Sequence, residues 1–201
     1  MTKRIILAAL LAAIAAPGLT QPVAPSVVQA PKEDFVRVAI ETQKGRIVVA
    51  LDRGHAPLTT ANFLAYVDKH WLDGQPFFRS MPFEDGGLIQ GGVRDGAKQL
   101  PPIATETTTT TGLHNKTGAI VMANAGRKTT RSDFFILTTD IPSFDATATD
   151  PGFAPFGQVV EGMDVVKAIF ASPRSPTKGR GAMKGQMLDP AVKILKAARV
   201  K

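Results

Sequence analysis

The sequence predicts a mainly β domain, a barrel or a sandwich, with two helices packed against it. Three observations carry this. Val36, Val38 and Ile40 alternate with Arg37, Ala39 and Glu41, and Ile47, Val49 and Leu51 alternate again after the turn Gln43-Lys44-Gly45. That is the pattern of an antiparallel hairpin with one buried face. Further short apolar runs recur along the chain, cut by Gly, Pro and Asp turns, as expected where many strands close on one another. Two segments abandon the alternation and repeat at helical spacing instead.

The hairpin opens the fold at Phe35. A helix follows over residues 57–70, where Phe63, Tyr66, Val67 and His70 share a face. Pro57 suits its first turn, because the missing N–H has no intrahelical partner there. Strands are expected at 77–81, 88–92, 119–123, 134–138, 156–160 and 192–195, and a second helix at 162–171, with Val165, Val166 and Ile169 on one side. The total is about eight strands and two helices. Closure into a barrel would remove the exposed sheet edges. The threonine run at 107–111 reads as an extended surface segment. Residues 172–185, rich in Lys, Arg, Gly and Pro, read as a mobile loop before the last strand.

With 201 residues, 44% hydrophobic and 20% charged, the chain is long enough for one domain with its own core. Lys3 and Arg4 precede an apolar run over 5–16 that ends at Pro17-Gly18, the layout of a secretory signal peptide. The run falls short of the ~20 apolar residues of a spanning helix. A cleaved signal over residues 1–21 is therefore expected, with a periplasmic mature protein and no stable membrane insertion. Residues 22–34 form a Pro-rich tether, and 35–201 the domain. Cysteine is absent, so neither disulfides nor thiol chemistry take part. The net charge of +7 is spread out except at Lys178, Arg180 and Lys184, and the one Trp and one Tyr lie elsewhere. This argues against a nucleic-acid partner, which needs a basic stripe interleaved with stacking rings. A monomer is expected.

Four segments set polar groups among apolar ones: Phe77-Phe78-Arg79, Leu88-Ile89-Gln90-Gly91-Gly92, Met122-Ala123-Asn124-Ala125-Gly126 and Ser132-Asp133-Phe134-Phe135-Ile136. No nucleophile-elbow motif accompanies them. His55, His70 and His114 lack ligand-spaced partners, so no metal and no other cofactor is expected. Gly91-Gly92 has no following Lys-Ser/Thr, which excludes a phosphate loop. Glu84-Asp85, beside Gly86-Gly87, reads as a turn. Such a set suits a site that grips a peptide and changes its shape without breaking a bond. By position alone, Met122 reads as core. Phe134 and Phe135 point opposite ways on a strand, so one of them is core.

These segments resemble the cyclophilins, the family of peptidyl-prolyl cis/trans isomerases. So do Phe156-Gly157-Gln158-Val159-Val160-Glu161-Gly162-Met163-Asp164-Val165-Val166 and Pro57-Leu58-Thr59-Thr60-Ala61-Asn62-Phe63, and the likeness runs in order from Val36 to the C-terminus. It implies a closed eight-stranded antiparallel barrel capped by two helices, with a packed interior and an active groove outside. It implies catalytic roles for Arg79 and Gln90. It further implies that Leu88, Met122, Ala123, Asn124, Asp133, Phe135, Phe144 and Phe153 bind a proline-containing polypeptide, with Phe135 in the proline pocket. Four departures stand out. Gly87 replaces a common pocket Phe, and Phe83, on a longer 79–90 connection, is a candidate substitute ring. Asp133 replaces a common Gln, which would bring a negative charge that favours basic residues near the client proline. Ser143 replaces a Trp or Phe, and Phe153 replaces a pocket His. These departures keep a second reading open, a cyclophilin-fold peptide-binding or scaffold module with little catalytic activity. The ordered motifs argue against a third, a small-molecule-binding barrel of another superfamily.

Overall fold

The computed structural model describes residues 34–125 and 129–200. The signal segment, the tether before Asp34 and Gly126 lie outside them. The strands are β1 (Phe35–Thr42), β2 (Gly45–Asp52), β3 (Pro76–Phe83), β4 (Gly86–Gly91), β5 (Ala119–Met122), β6 (Phe134–Leu137), β7 (Ala154–Glu161) and β8 (Met187–Val200). The helices are α1 (Pro57–Asp68), α2 (Thr108–Thr111) and α3 (Met163–Phe170). The strands form a closed barrel in the order β1-β2-β7-β5-β6-β4-β3-β8, every pair antiparallel, with β8 returning to β1.

Side-chain alternation sorts each strand into an inner and an outer face. On β6, Phe134 and Ile136 enter the barrel core, while Phe135 and Leu137 join a second apolar cluster with Leu88, Val121 and Ile141. On β4, Ile89 points in and Leu88 out. One slip in this pattern matters for everything that follows. The register of β3 against both β4 and β8 shifts between Phe77 and Arg79. Residues two apart normally share a face, and a bulge breaks that parity. Phe77 is fully buried, edge-on to Phe134 at 5.7 Å, whereas Arg79 joins the outer wall beside Gln90.

Helix α1 packs against β2, β7 and β8. Its first-turn amides have no intrahelical acceptors, and Glu106 supplies them. The carboxylate oxygens accept from Leu58 N at 3.1 Å and Thr59 N at 2.7 Å. Phe63 then packs on Phe134 and Phe156 at 5.2 and 5.3 Å. The helix stops at Asp68, two residues before the sequence-based limit, and His70 takes a left-handed φ of 55°. Helix α3 starts from Gly162 at φ 82°, where a Cβ would lie 2.2 Å from the Arg46 carbonyl oxygen, and it buries Val166 and Ile169. Among the described residues no helix is long and apolar enough to cross a membrane.

One expectation needs correction. The threonine run is no extended surface segment: residues 108–111 make the helical turn α2, with Thr108 and Thr111 buried. Thr108 Oγ1 accepts from Ala146 N at 2.9 Å, and Gly112 ends the turn at φ 72°. Residues 172–185 connect α3 to β8 and include a bridge between Arg174 and Leu188 and a 3-10 turn over Gly181–Met183.

The loop that carries Phe144 is fastened by Asp145. Its carboxylate accepts from Asn115 N and Nδ2 at 2.9 and 2.7 Å and pairs with His114 Nδ1 at 2.6 Å. Burial on its own would raise this carboxyl, but the hydrogen bonds from His114 and Asn115 outweigh it and hold the group below its ordinary value.

Two outcomes follow from this packing. Phe134→Ala removes a ring at the junction of Phe63 and Phe77 and is expected to cost about 3–5 kcal/mol, read as a lower urea midpoint with an unchanged m value. A carboxylate lowered in the fold stabilises at pH above its unfolded value of about 3.9 and loses that contribution as pH falls through the folded value. Urea titrations from about pH 6 down to about pH 3 should therefore show wild type losing more stability than Asp145→Asn.

Candidate functional site

The outer faces of β3, β4 and β6 meet the segments after β5 and before β7 at a hollow of about 230 Å³. Apolar side chains make its floor. Phe135 meets Phe144 and Phe153 edge-on at 5.9 and 5.3 Å, and Phe144 lies 4.7 Å from Phe153. Leu88 and Met81 add aliphatic surface. Arg79, Gln90 and Asn124 stand on its wall with Ala123. A ring-lined slot of this size, with a few convergent polar groups, suits one small cyclic side chain and the backbone on either side of it.

The polar groups are fixed by hydrogen bonds. Arg79 Nη1 donates to Gln90 Oε1 at 2.9 Å, and Arg79 Nε donates to Gln186 Oε1 at 2.8 Å. Gln90 Nε2 donates to Asp133 Oδ2 at 3.4 Å. Asn124 Nδ2 donates to the Gly152 carbonyl at 2.8 Å, which ties the segment before β7 to the wall. Gly152 takes φ 61°, and a Cβ there would meet the Phe144 carbonyl oxygen at 2.4 Å. Burial draws the Arg79 guanidinium below its ordinary value, and it stays cationic at neutral pH. Among the described residues no group of three or more His, Cys, Asp or Glu is placed to hold a metal ion.

Of the residues singled out in the sequence, Arg79, Leu88, Gln90, Ala123, Asn124, Phe135, Phe144 and Phe153 come together at this hollow. Met122 does not. It is fully buried among the barrel-core residues, because it shares the inward face of β5 with Ile120. Its proposed contact with a peptide is corrected accordingly.

Asp133 faces a neighbouring hollow of about 350 Å³, lined also by Arg94, Gln99, Thr129 and Arg131. Its charge is countered there: Arg94 Nη1 lies 3.3 Å from Asp133 Oδ2, and Arg94 stacks over the Phe78 ring at 4.5 Å. Burial raises the Asp133 carboxyl, against the opposing effect of Arg94 and Gln90. The carboxylate is thus countered by Arg94 and hydrogen-bonded by Gln90 while it lines this hollow.

Gly87 has no space for a ring, since a Cβ would fall 1.9 Å from the Met81 carbonyl oxygen. Phe83 packs against the same outer cluster as Leu88 and Phe135, without lining the hollow. Ser143 is exposed. Sequence reasoning missed Met81, Met183 and Gln186. The available signal was Gln186 itself, the one amide side chain in a stretch of Lys, Arg, Gly and Pro.

Comparison with known proteins agrees with this geometry. The family model for "Cyclophilin type peptidyl-prolyl cis-trans isomerase/CLD" matches residues 37–198. A "Peptidyl-prolyl cis-trans isomerase" of Acinetobacter baylyi is 34% identical over 141 residues, covering 69% of this chain and 73% of its own. "Peptidyl-prolyl cis-trans isomerase A" of Dickeya dadantii is 37% identical over 137 residues, covering 66% and 70%. In fold, the chain is similar to a cyclophilin-type isomerase of Cryptosporidium parvum, with a TM-score of 0.68 at 20% identity over 84% of this chain and 99% of that one. A second structure of that protein was determined in the presence of the dipeptide Ala-Pro. The match spans nearly the whole barrel and the outer wall with it, and so the chain belongs to the cyclophilin-type peptidyl-prolyl cis-trans isomerases.

Proposed function

We propose that the outer hollow binds an X–Pro segment and that Arg79 speeds its cis/trans rotation, in a protein exported to assist folding in the periplasm. The observation that carries the mechanism is that a guanidinium held at two edges lines the same hollow as the rings of Phe135, Phe144 and Phe153. Peptide resonance sets a rotation barrier of roughly 18–20 kcal/mol. X–Pro bonds populate both isomers yet exchange only in tens to hundreds of seconds.

At the twisted midpoint the prolyl nitrogen regains its lone pair and becomes a hydrogen-bond acceptor. A guanidinium donor there stabilises the twisted form over either planar one, which is the differential binding that catalysis requires. Each tenfold in rate needs about 1.4 kcal/mol of such selectivity. Of the five guanidinium N–H donors, one on Nε and one on Nη1 are engaged by Gln186 and Gln90. The rest serve the substrate. Phe135, Phe144, Phe153 and Leu88 hold the proline ring. Gln90 and Asn124 hold the flanking backbone. The Ala-Pro dipeptide used with the Cryptosporidium relative has the chemistry such a slot would take.

Export rests on the basic start at Lys3-Arg4 and the apolar run that follows it. With the signal removed, the tether and domain would act on proline-containing clients in the periplasm.

Exchange NMR on a short Ala-Pro peptide tests the mechanism. Wild type should accelerate exchange. Arg79→Ala should lose on the order of 10²–10³ in kcat/KM, the cost of removing one transition-state donor. The rate should stay flat across neutral pH, since no general acid or base takes part. Wild type at the uncatalysed rate sinks the function; full activity in Arg79→Ala sinks the mechanism. For localisation, cell fractionation should recover a shortened chain in the periplasmic extract, and a full-length chain in the cytoplasm would overturn the export reading.

A further inference from the structure

We infer that Gln186 is a positioning residue for Arg79, and that the turn before β8 is thereby part of the active groove. This rests on the catalytic reading of Arg79 above. A guanidinium held by one bond at Nη1 can still swing about that bond. Arg79 is held at two edges: Nη1 donates to Gln90 Oε1 at 2.9 Å and Nε donates to Gln186 Oε1 at 2.8 Å. Two acceptors from different elements fix both the plane and the direction of the fork, the kind of support that preorganised sites need.

The chemistry of the two acceptors is informative. Both are amide oxygens. A carboxylate in either place would also orient the fork, but it would neutralise the charge that must act on the substrate. Neutral acceptors orient Arg79 and leave its full charge for the groove.

Gln186 is itself fixed, which decides the direction of its amide. Its Nε2 donates to the Ala182 carbonyl at 2.9 Å, so Oε1 is the atom turned to Arg79. Its backbone N donates to the Met183 carbonyl at 3.1 Å, and its carbonyl accepts from Ser80 N at 2.9 Å, one residue beyond Arg79. The same turn places Met183, 42% exposed, on the rim of both hollows. One short segment thus orients the cation and supplies an apolar edge beside the peptide path.

The test compares wild type with Gln186→Met, which is similar in size and lacks the acceptor, and Gln186→Glu, which keeps it. Four quantities are read: kcat/KM on an Ala-Pro peptide, peptide Kd, thermal midpoint, and solvent exchange of the Arg79 Nε–H by NMR. The expected result is a loss of roughly tenfold in kcat/KM for Gln186→Met, with peptide Kd and midpoint unchanged and faster Nε–H exchange. Gln186→Glu should keep the Nε–H protected. Wild-type kcat/KM in Gln186→Met overturns the inference, as does a loss that only tracks a lower midpoint. If Gln186→Met does not fold, wild type still decides: a protected Arg79 Nε–H supports the inference, and a rapidly exchanging one overturns it. An inactive wild type would instead overturn the catalytic reading of Arg79, so the two failures are distinct.

Discussion

Phe77 and Arg79 sit two residues apart on β3, and the register slip between them sends one into the barrel and the other to its outer wall. Without that slip both side chains would share a face, and the core would have to accept either a buried guanidinium or a missing ring. Burying an unpaired charge costs far more than any single apolar contact returns. The bulge solves both problems at once. Phe77 completes the aromatic packing with Phe134, and Arg79 becomes available to a ligand.

The residue that the bulge releases is used as well. Phe78 turns its ring under Arg94, Arg94 meets Asp133, and Asp133 accepts from the amide of Gln90. Gln90 in turn accepts from Arg79. A continuous chain of contacts therefore runs from the backbone irregularity to the Nη1 edge of the guanidinium, while Gln186 holds the Nε edge from outside it. The members of that chain come from β3, β4, the segment after β4 and the residue just before β6. The packed barrel supplies rigidity, and the site is built on its outer surface, where the chain can admit a peptide without opening its core. Nothing in this arrangement requires a nucleophile, since rotation about a bond leaves covalent connectivity unchanged.

Much of this was legible because the relevant signals are local. Period-two alternation marks the opening hairpin, and apolar spacing marks α1 and α3, whatever the rest of the chain does. Met122 illustrates the limit of motif reasoning: it belongs to a recognisable block, yet strand parity sends it inward and leaves Ala123 on the wall. The features that escaped are set by distant partners. The bulge exists only in relation to β4 and β8. The turn α2 forms from residues of poor helix propensity because Thr108 meets Ala146 and Gly112 can adopt a left-handed φ. Gln186 reaches Arg79 across a separation of 107 residues, and no spacing rule connects them. Asp133 meets its counter-charge Arg94 across a separation of 39 residues, a pairing that no local pattern reveals.

In the proposed complex an X–Pro peptide binds on the outer wall, with its proline ring against Phe135, Phe144 and Phe153 and its prolyl nitrogen beside Arg79. Intermolecular nuclear Overhauser contacts between a bound Ala-Pro peptide and the protein test this most directly. Contacts are expected from the proline ring protons to the Phe135 and Phe153 rings and to the Leu88 methyls. Contacts confined to the hollow around Asp133 and Arg131, or to any surface away from Arg79, would contradict it.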